Sequence, residues 1–299
     1  MNMDFKSAKE LLDLCEENQL PISEVMRQRE CILGEVPRDA VDHRMAKAWE
    51  IMHASATQPL KKPIKSMGGL IGGEAKKLET HYNKKKNICG DVLQKAMTYA
   101  MAVLEVNASM GLIVAAPTAG SAGVVPGMML ALQECYRISD QRIVDALFNA
   151  GAVGYLAMRN ATVAGAVGGC QAEVGAASGM AAAALVDIKG GTAEQCAEAF
   201  AMALTNLEGL VCDPVAGLVE IPCIKRNVIG AMNAVSAADM ALAGVVGHIP
   251  ADEVIDAMAE VGNAMSKDLR ETGIGGLAGT PTGRAICEIV TMDNGEEED

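Results

Sequence analysis

Nine cysteines occur in the 299 residues of this chain, and three of them stand where the backbone is free or forced to bend. Cys170 follows the pair Gly168-Gly169, Cys212 precedes Asp213-Pro214, and Cys223 follows Pro222. Glycine reaches conformations closed to other residues and proline fixes φ, so such backbone can turn several sulfurs toward one object, as a metal cluster requires. A free cysteine is otherwise among the most buried residue types and behaves as a small hydrophobe. Cys15, Cys31, Cys89, Cys135 and Cys196 take that second reading. No C-x-x-C pair occurs, so the spacing matches neither a zinc ribbon nor a ferredoxin run.

Two further stretches have the composition of binding loops. In residues 61–88, Lys61, Lys62, Lys65, Lys76, Lys77, Lys84, Lys85 and Lys86 surround the run SMGGLIGGE, residues 66–74. Exposed N–H groups of a Gly-rich loop can form a nest for a phosphate or carboxylate. The run fits neither G-x-x-x-x-G-K-[ST] nor a strand-borne G-x-G-x-x-G, and a flexible loop without chemistry has the same composition. The second stretch is APTAGSAG, residues 116–123. Its free N–H groups and the Thr118 and Ser121 hydroxyls, leading into a helix, suit a carboxylate ligand; the alternative is a turn between buried helices. Glu173 is a carboxylate in otherwise apolar surroundings, which calls for a partner, either structural or in a site.

The segments GGCQAEVG (168–175) and CDPVAGLVEIPC (212–223), together with PTAGSAG (117–123), KDLRET (267–272) and GGLA (275–278), resemble the alpha chain of the iron-sulfur-dependent L-serine dehydratases. The resemblance extends over roughly residues 20–283 and is most specific at the cysteine segments. It implies a [4Fe-4S] cluster held by Cys170, Cys212 and Cys223 with one iron left open. It also implies a substrate loop containing Thr118, Ala119, Gly120 and Ser121, with Ser66 and Gly68 of the Gly-rich run nearby. The implied reaction is loss of the L-serine hydroxyl with metal assistance and of the Cα proton to a base, ending in pyruvate and ammonia. The base is not identified by the residues. Lys65 and Lys267 are candidates because a desolvated lysine can lose its proton near neutrality, and His53 and His81 are further possibilities. Longer members carry an additional N-terminal domain, so a separate beta chain resembling an ACT-type regulatory subunit is expected as partner. Some members end in a cysteine that reaches the cluster, a role for which Cys287 lies too far from the end. The same scaffold resembles cysteine desulfidases, and a non-enzymatic iron-sulfur or zinc protein is the rival from another class.

The elements that position these residues are helices. Hydrophobic residues make up 50% of the chain and aromatic ones only 3%, which leaves Ala, Gly, Val, Leu, Ile and 19 Met to build the interior. Small side chains let helices approach closely and Met fills the gaps, predicting an all-α protein, a single compact helical domain over residues 1–290. Residues 1–60 form a helical wrap, 61–88 the Lys/Gly-rich loop region, and 89–290 the cluster and substrate core. Residues 160–167, continuing a helix capped by Ser139 or Asp140, and residues 176–186 are apolar all round, as buried central helices are. Asp4 is placed to cap the first helix, Thr192 with Gln195 forms a capping box, and Pro250 opens the last helix. Residues 291–299 read as a disordered acidic tail. The uncharged residues 106–133 are long enough to span a bilayer, but Pro117, Pro126, four glycines, Thr118 and Ser121 mark them as buried in protein instead. A net charge of −13 excludes nucleic acid as the partner, and free cysteines with no secretory leader point to the cytoplasm.

Overall fold

The structure, a computed structural model, describes residues 3–295. The chain is all-α, with thirteen α-helices among these residues. Around the N-terminal side run α1 (Ala8–Asn18), α2 (Ile22–Leu33) and α3 (Arg38–Lys61). Next come α4 (Glu74–Asn83), α5 (Asp91–Ala108), α6 (Val124–Tyr136) and α7 (Asp140–Asn160), then the one-turn α8 (Gly165–Gly168). A π-helical turn, Gln171–Gly175, leads without a break into α9 (Ala176–Ile188), followed by α10 (Ala193–Thr205), α11 (Cys223–Leu242), α12 (Ala251–Ala264) and α13 (Pro281–Gly295).

The centre is α9. Ala176 through Asp187 are all buried, and the helix packs on α7, α10, α11 and α6. Alanine and glycine make this possible: Gly179 lies so close to α10 that a Cβ on it would stand 2.5 Å from a Phe200 ring carbon. A second layer pairs α5 with α6 and runs α11 across both α5 and α9. The outer wrap is fastened by Arg27, 4% exposed, which meets Glu24, Asp42 at 2.7 Å and Asp145 at 2.5 Å while its guanidinium covers the Phe148 ring. That one side chain ties α2 to α3 and α7, and desolvated guanidinium groups are stable only when so paired. No helix among the described residues is long and apolar enough to cross a membrane.

Capping follows the sequence in two places. Ser139 accepts the Arg142 N–H at the start of α7, and Thr192 and Gln195 form the reciprocal capping box of α10. At α1 the cap is Ser7, which accepts the Glu10 N–H, rather than Asp4; Asp4 instead pairs with the buried Arg29 at 2.9 Å. The helix expected through residues 160–167 stops at Asn160, and residues 161–164 are half-buried and irregular. Thr162 Oγ accepts the Ala164 N–H there, a local bond that competes with helix continuation. Within the lysine-rich region, α4 forms where a loop was read, because the fully buried Glu105 of α5 accepts the Ala75 N–H at its N-terminus. The helix after Pro250 is not the last: α13 continues to Gly295, past the expected start of the acidic tail, and residues 296–299 lie outside the described residues.

Gly179→Ala should overpack the α9–α10 contact and cost about 1–3 kcal/mol of stability, measured as a lower urea midpoint with unchanged m-value. An unchanged midpoint would mean that α10 can retreat from the methyl group without loss.

Candidate active site and metal centre

Three segments converge beside the N-terminal end of α9. The first enters through α8 and Gly169, whose φ of +76° suits glycine, and delivers Cys170 directly before the π turn that carries Glu173. Single π turns occur disproportionately at functional sites because the extra residue redirects side chains. The second segment brings Cys212, whose backbone is pinned on both sides: its N–H donates to Leu269 O at 2.8 Å and its carbonyl accepts the Glu271 N–H at 2.7 Å. Cys223 opens α11 and shares an apolar cluster with Ile71, Leu104 and Ile224.

The ligand atoms of Cys170, Glu173 and Cys212 all lie within 4.8 Å of one another, and all three residues are buried. Space for them is made by missing side chains. A Cβ on Gly165 would meet Glu173 Oε2 at 2.6 Å and Cys212 Sγ at 3.0 Å, and one on Gly120 would meet Glu173 Oε1 at 3.1 Å. The thiols are electrostatically unequal. A hydrogen bond from Cys212 and the Arg226 guanidinium, 3.5 Å from its sulfur, pull the Cys170 thiol below its ordinary range, while the same bond and burial push Cys212 up. Burial, with Cys170 and Glu173 close by, pushes Cys223 up to about 12. Glu173 is raised to about 7, chiefly by burial.

The loop leading to α6 closes the site. Thr118 donates its hydroxyl to Glu173 Oε1 at 2.7 Å and lies 3.1 Å from the Ser121 hydroxyl, which is fully buried. Asn227 on α11, also fully buried, fixes the loop: its amide donates to Gly120 O at 2.8 Å and to Cys223 O at 3.0 Å, and its Oδ1 accepts the Gly123 N–H at 2.9 Å. Arg226, one residue earlier, also reaches Val211 O at 2.8 Å and Asp213 at 2.7 Å, and Asp213 in turn accepts the Leu277 N–H at 2.7 Å.

Residues 17–278 match the serine dehydratase alpha chain family model. A "Probable L-serine dehydratase, alpha chain" of Bacillus subtilis is 50% identical over 282 residues, covering 94% of each chain. The "L-serine dehydratase, alpha chain" of Peptoniphilus asaccharolyticus is 46% identical, covering 94% of this chain and 97% of its own. The chain belongs to the serine dehydratase alpha chain family. An L-serine dehydratase of Escherichia coli is 38% identical over 281 residues, which span 92% of this chain but only 62% of that longer protein.

For this member of the family, the structure brings Cys170 and Cys212 together with the Thr118-to-Ser121 loop, whereas the Cys223 thiol is not among these converging ligand atoms; Asn227 links that residue to the loop by bonding the carbonyls of Cys223 and Gly120. The thiol-rich donor set, and the room that Gly120 and Gly165 leave for it, fit a metal or cluster. Ala119 is exposed and offers its carbonyl to Asn107 at 3.1 Å. Ser66 and Gly68 lie on a different loop, where their donors are taken up by Glu220. Lys65 and Lys267 are both exposed, so the burial on which their candidacy as bases rested is absent; His53 and His81 are exposed as well. Cys287, half-buried on α13, is not among the converging ligand atoms. Cys15 and Cys196 are core residues whose thiols burial pushes up to about 12. The sequence assigns no role of their own to Arg226 and Asn227 of α11, or to Asp213 and Glu220 within the 212–223 segment. Asp213 and Glu220 carry a signal, a lone carboxylate among apolar neighbours, whereas Arg226 and Asn227 follow Lys225 and stand out by nothing.

Burial raises Glu173 above its unfolded value, so the folded chain binds more protons than the unfolded one between about pH 4.5 and 7. Stability therefore falls as pH rises through that window and is level above it. Relative to Glu173→Gln, the chain prepared without metal should lose about 2–4 kcal/mol of unfolding free energy across the window, read by urea titrations at each pH. Parallel pH profiles for the two proteins would show that Glu173 titrates like an exposed carboxylate.

Proposed function

We propose that this chain is the catalytic subunit of an L-serine dehydratase, a lyase that converts L-serine to pyruvate and ammonia, with a [4Fe-4S] cluster on Cys170, Cys212 and Cys223. The observation that carries the reading is the meeting of two buried thiols with Glu173 within 4.8 Å, beside a loop whose Thr118 hydroxyl hydrogen-bonds that same carboxylate. Thiolate is a soft donor suited to iron-sulfur clusters, and three cysteines on a four-iron cube leave one position open. When bound, the cluster supplies a Lewis acid next to the substrate loop.

The chain's own groups supply the rest. Residues 117–123 lead directly into α6, so N–H groups and the helix N-terminus favour a substrate carboxylate there. Asn227 holds this loop against the Cys223 carbonyl, fixing the distance between the substrate and the ligands. The Cys212 hydrogen bond and then the Arg226 guanidinium favour loss of the Cys170 proton, the state in which a cysteine ligates metal. With its carboxyl near 7, Glu173 can take or return a proton at Oε2, and it replaces the exposed lysines as the group best placed for the Cα proton. Burial of Glu173 limits the access of bulk water to the same spot.

Relatives named as alpha chains match this chain over nearly their whole length, whereas the Escherichia coli dehydratase is substantially longer. This supports a separate beta chain as partner, and unpaired cysteines suit a reducing cytoplasm. Purified anaerobically with that partner, the chain should hold about four irons with acid-labile sulfide and turn over L-serine. Serine in place of Cys170, Cys212 or Cys223 should remove most of the iron and the turnover together, because a hard hydroxyl replaces thiolate poorly. The same change at Cys15, Cys31, Cys89, Cys135, Cys196 or Cys287 should leave both. Stoichiometric zinc without sulfide, or full turnover in all three of the first variants, would overturn the assignment.

A further inference from the structure

The Gly-rich run at residues 66–73 has the composition of an anion nest, and the structure fills that nest from within the chain. Glu220 lies between Cys212 and Cys223 and is 1% exposed. Its Oε2 accepts the Ser66 hydroxyl at 2.6 Å and the Leu70 N–H at 3.0 Å, and its Oε1 accepts the Gly68 N–H at 2.7 Å. Among the described residues no lysine or arginine forms an ion pair with it, so the loop's own donors are what hold this carboxylate. Gly68 is needed for the approach: a Cβ there would stand 2.3 Å from Leu218 Cδ1 and 2.9 Å from Glu220 Oε1.

The loop so held is ordered by further bonds. Ile71 donates its N–H to Ser66 Oγ at 3.2 Å, and Met67 donates its N–H to Ala108 O at 2.8 Å, just where α5 ends. Ile71 then packs in one apolar cluster with Leu104, Cys223 and Ile224. Through Ile71 the loop covers the Cys223 side of the site, and among the described residues its charged fastening is Glu220.

We propose that Glu220 is a positioning residue that latches residues 66–71 over Cys223. It acts through the loop, not on the substrate. A carboxylate accepting several N–H and O–H donors forms charge-assisted bonds, whereas an amide of the same shape offers one acceptor oxygen and turns an NH2 group against the donors. Glu220→Gln therefore removes the latch while keeping the volume.

Hydrogen exchange on the full-length chain reads the latch without any turnover. In the cluster-free Glu220→Gln protein, amide exchange across residues 66–71 should rise about tenfold or more while α9 keeps its protection, and iodoacetamide should alkylate Cys223 faster by a similar factor. Ser66→Ala, which leaves both N–H bonds to Glu220, should shift exchange in the same direction by a smaller factor. In the cluster-loaded enzyme with its partner, Glu220→Gln should keep its iron and raise KM for L-serine more than it lowers kcat; this kinetic arm rests on the dehydratase reading. Unchanged exchange across 66–71 in both variants would overturn the latch. So would loss of iron in Glu220→Gln with the loop still protected, since the residue would then be a support of the cysteine segment. If exchange and alkylation rise as expected but the unaltered enzyme never consumes L-serine, the latch stands and the dehydratase reading falls.

Discussion

The 2.7 Å hydrogen bond from Thr118 to Glu173 links residues 55 apart in sequence and joins the loop before α6 to the π turn before α9. A carboxylate taken out of water without donors costs several kcal/mol, so the loop must be where it is for the turn to keep Glu173 inside. The rest of the site repeats this logic. Asn227 answers a carbonyl and an N–H of the loop before α6 and a carbonyl of its own helix, Arg226 answers Asp213 and Cys170, and Glu220 is answered by the Gly-rich run. Each buried acceptor recruits a donor from a distant part of the chain, and the sum of these requirements sets where the loops between helices can lie.

Such a polar centre needs helices that come very near one another. Alanine and glycine on α9 permit that, and the near absence of aromatic rings in the sequence is its compositional trace. Gly120 and Gly165 extend the same device into the site, where the missing Cβ atoms leave room for the Glu173 carboxylate and the Cys212 sulfur. Small residues therefore serve packing in one place and ligand access in the other.

Much of this was legible before any coordinates. The helical wrap of residues 1–60, the cap that opens α7 and the small-residue run of α9 are all readable locally, because helix burial is written at a spacing of 3.6 residues. The bends beside Cys170, Cys212 and Cys223 are local and show in glycine and proline. What the sequence hid is non-local. Asp4 prefers Arg29 to the helix end, α4 is nucleated by a glutamate from another helix, and residues 161–164 yield to a threonine side-chain bond. No window of residues contains those partners. The proposed base is hidden from sequence for the same reason: Lys65 and Lys267 have suitable chemistry but stay exposed, whereas Glu173 acquires its raised pKa from burial that only the assembled fold provides.

Cys212 is held in place by the carbonyl of Leu269 and the N–H of Glu271, and Asp213 beside it by the N–H of Leu277. These partners follow the cysteine by more than fifty residues, so during synthesis all three cysteine segments leave the ribosome before the strap that fixes the middle one. The nascent chain consequently passes through a stage in which its thiols are present, yet Cys212 has no fixed backbone. The ordering of that cysteine is in this sense a late event, timed by the emergence of the segment around residue 270 rather than by that of the cysteines themselves.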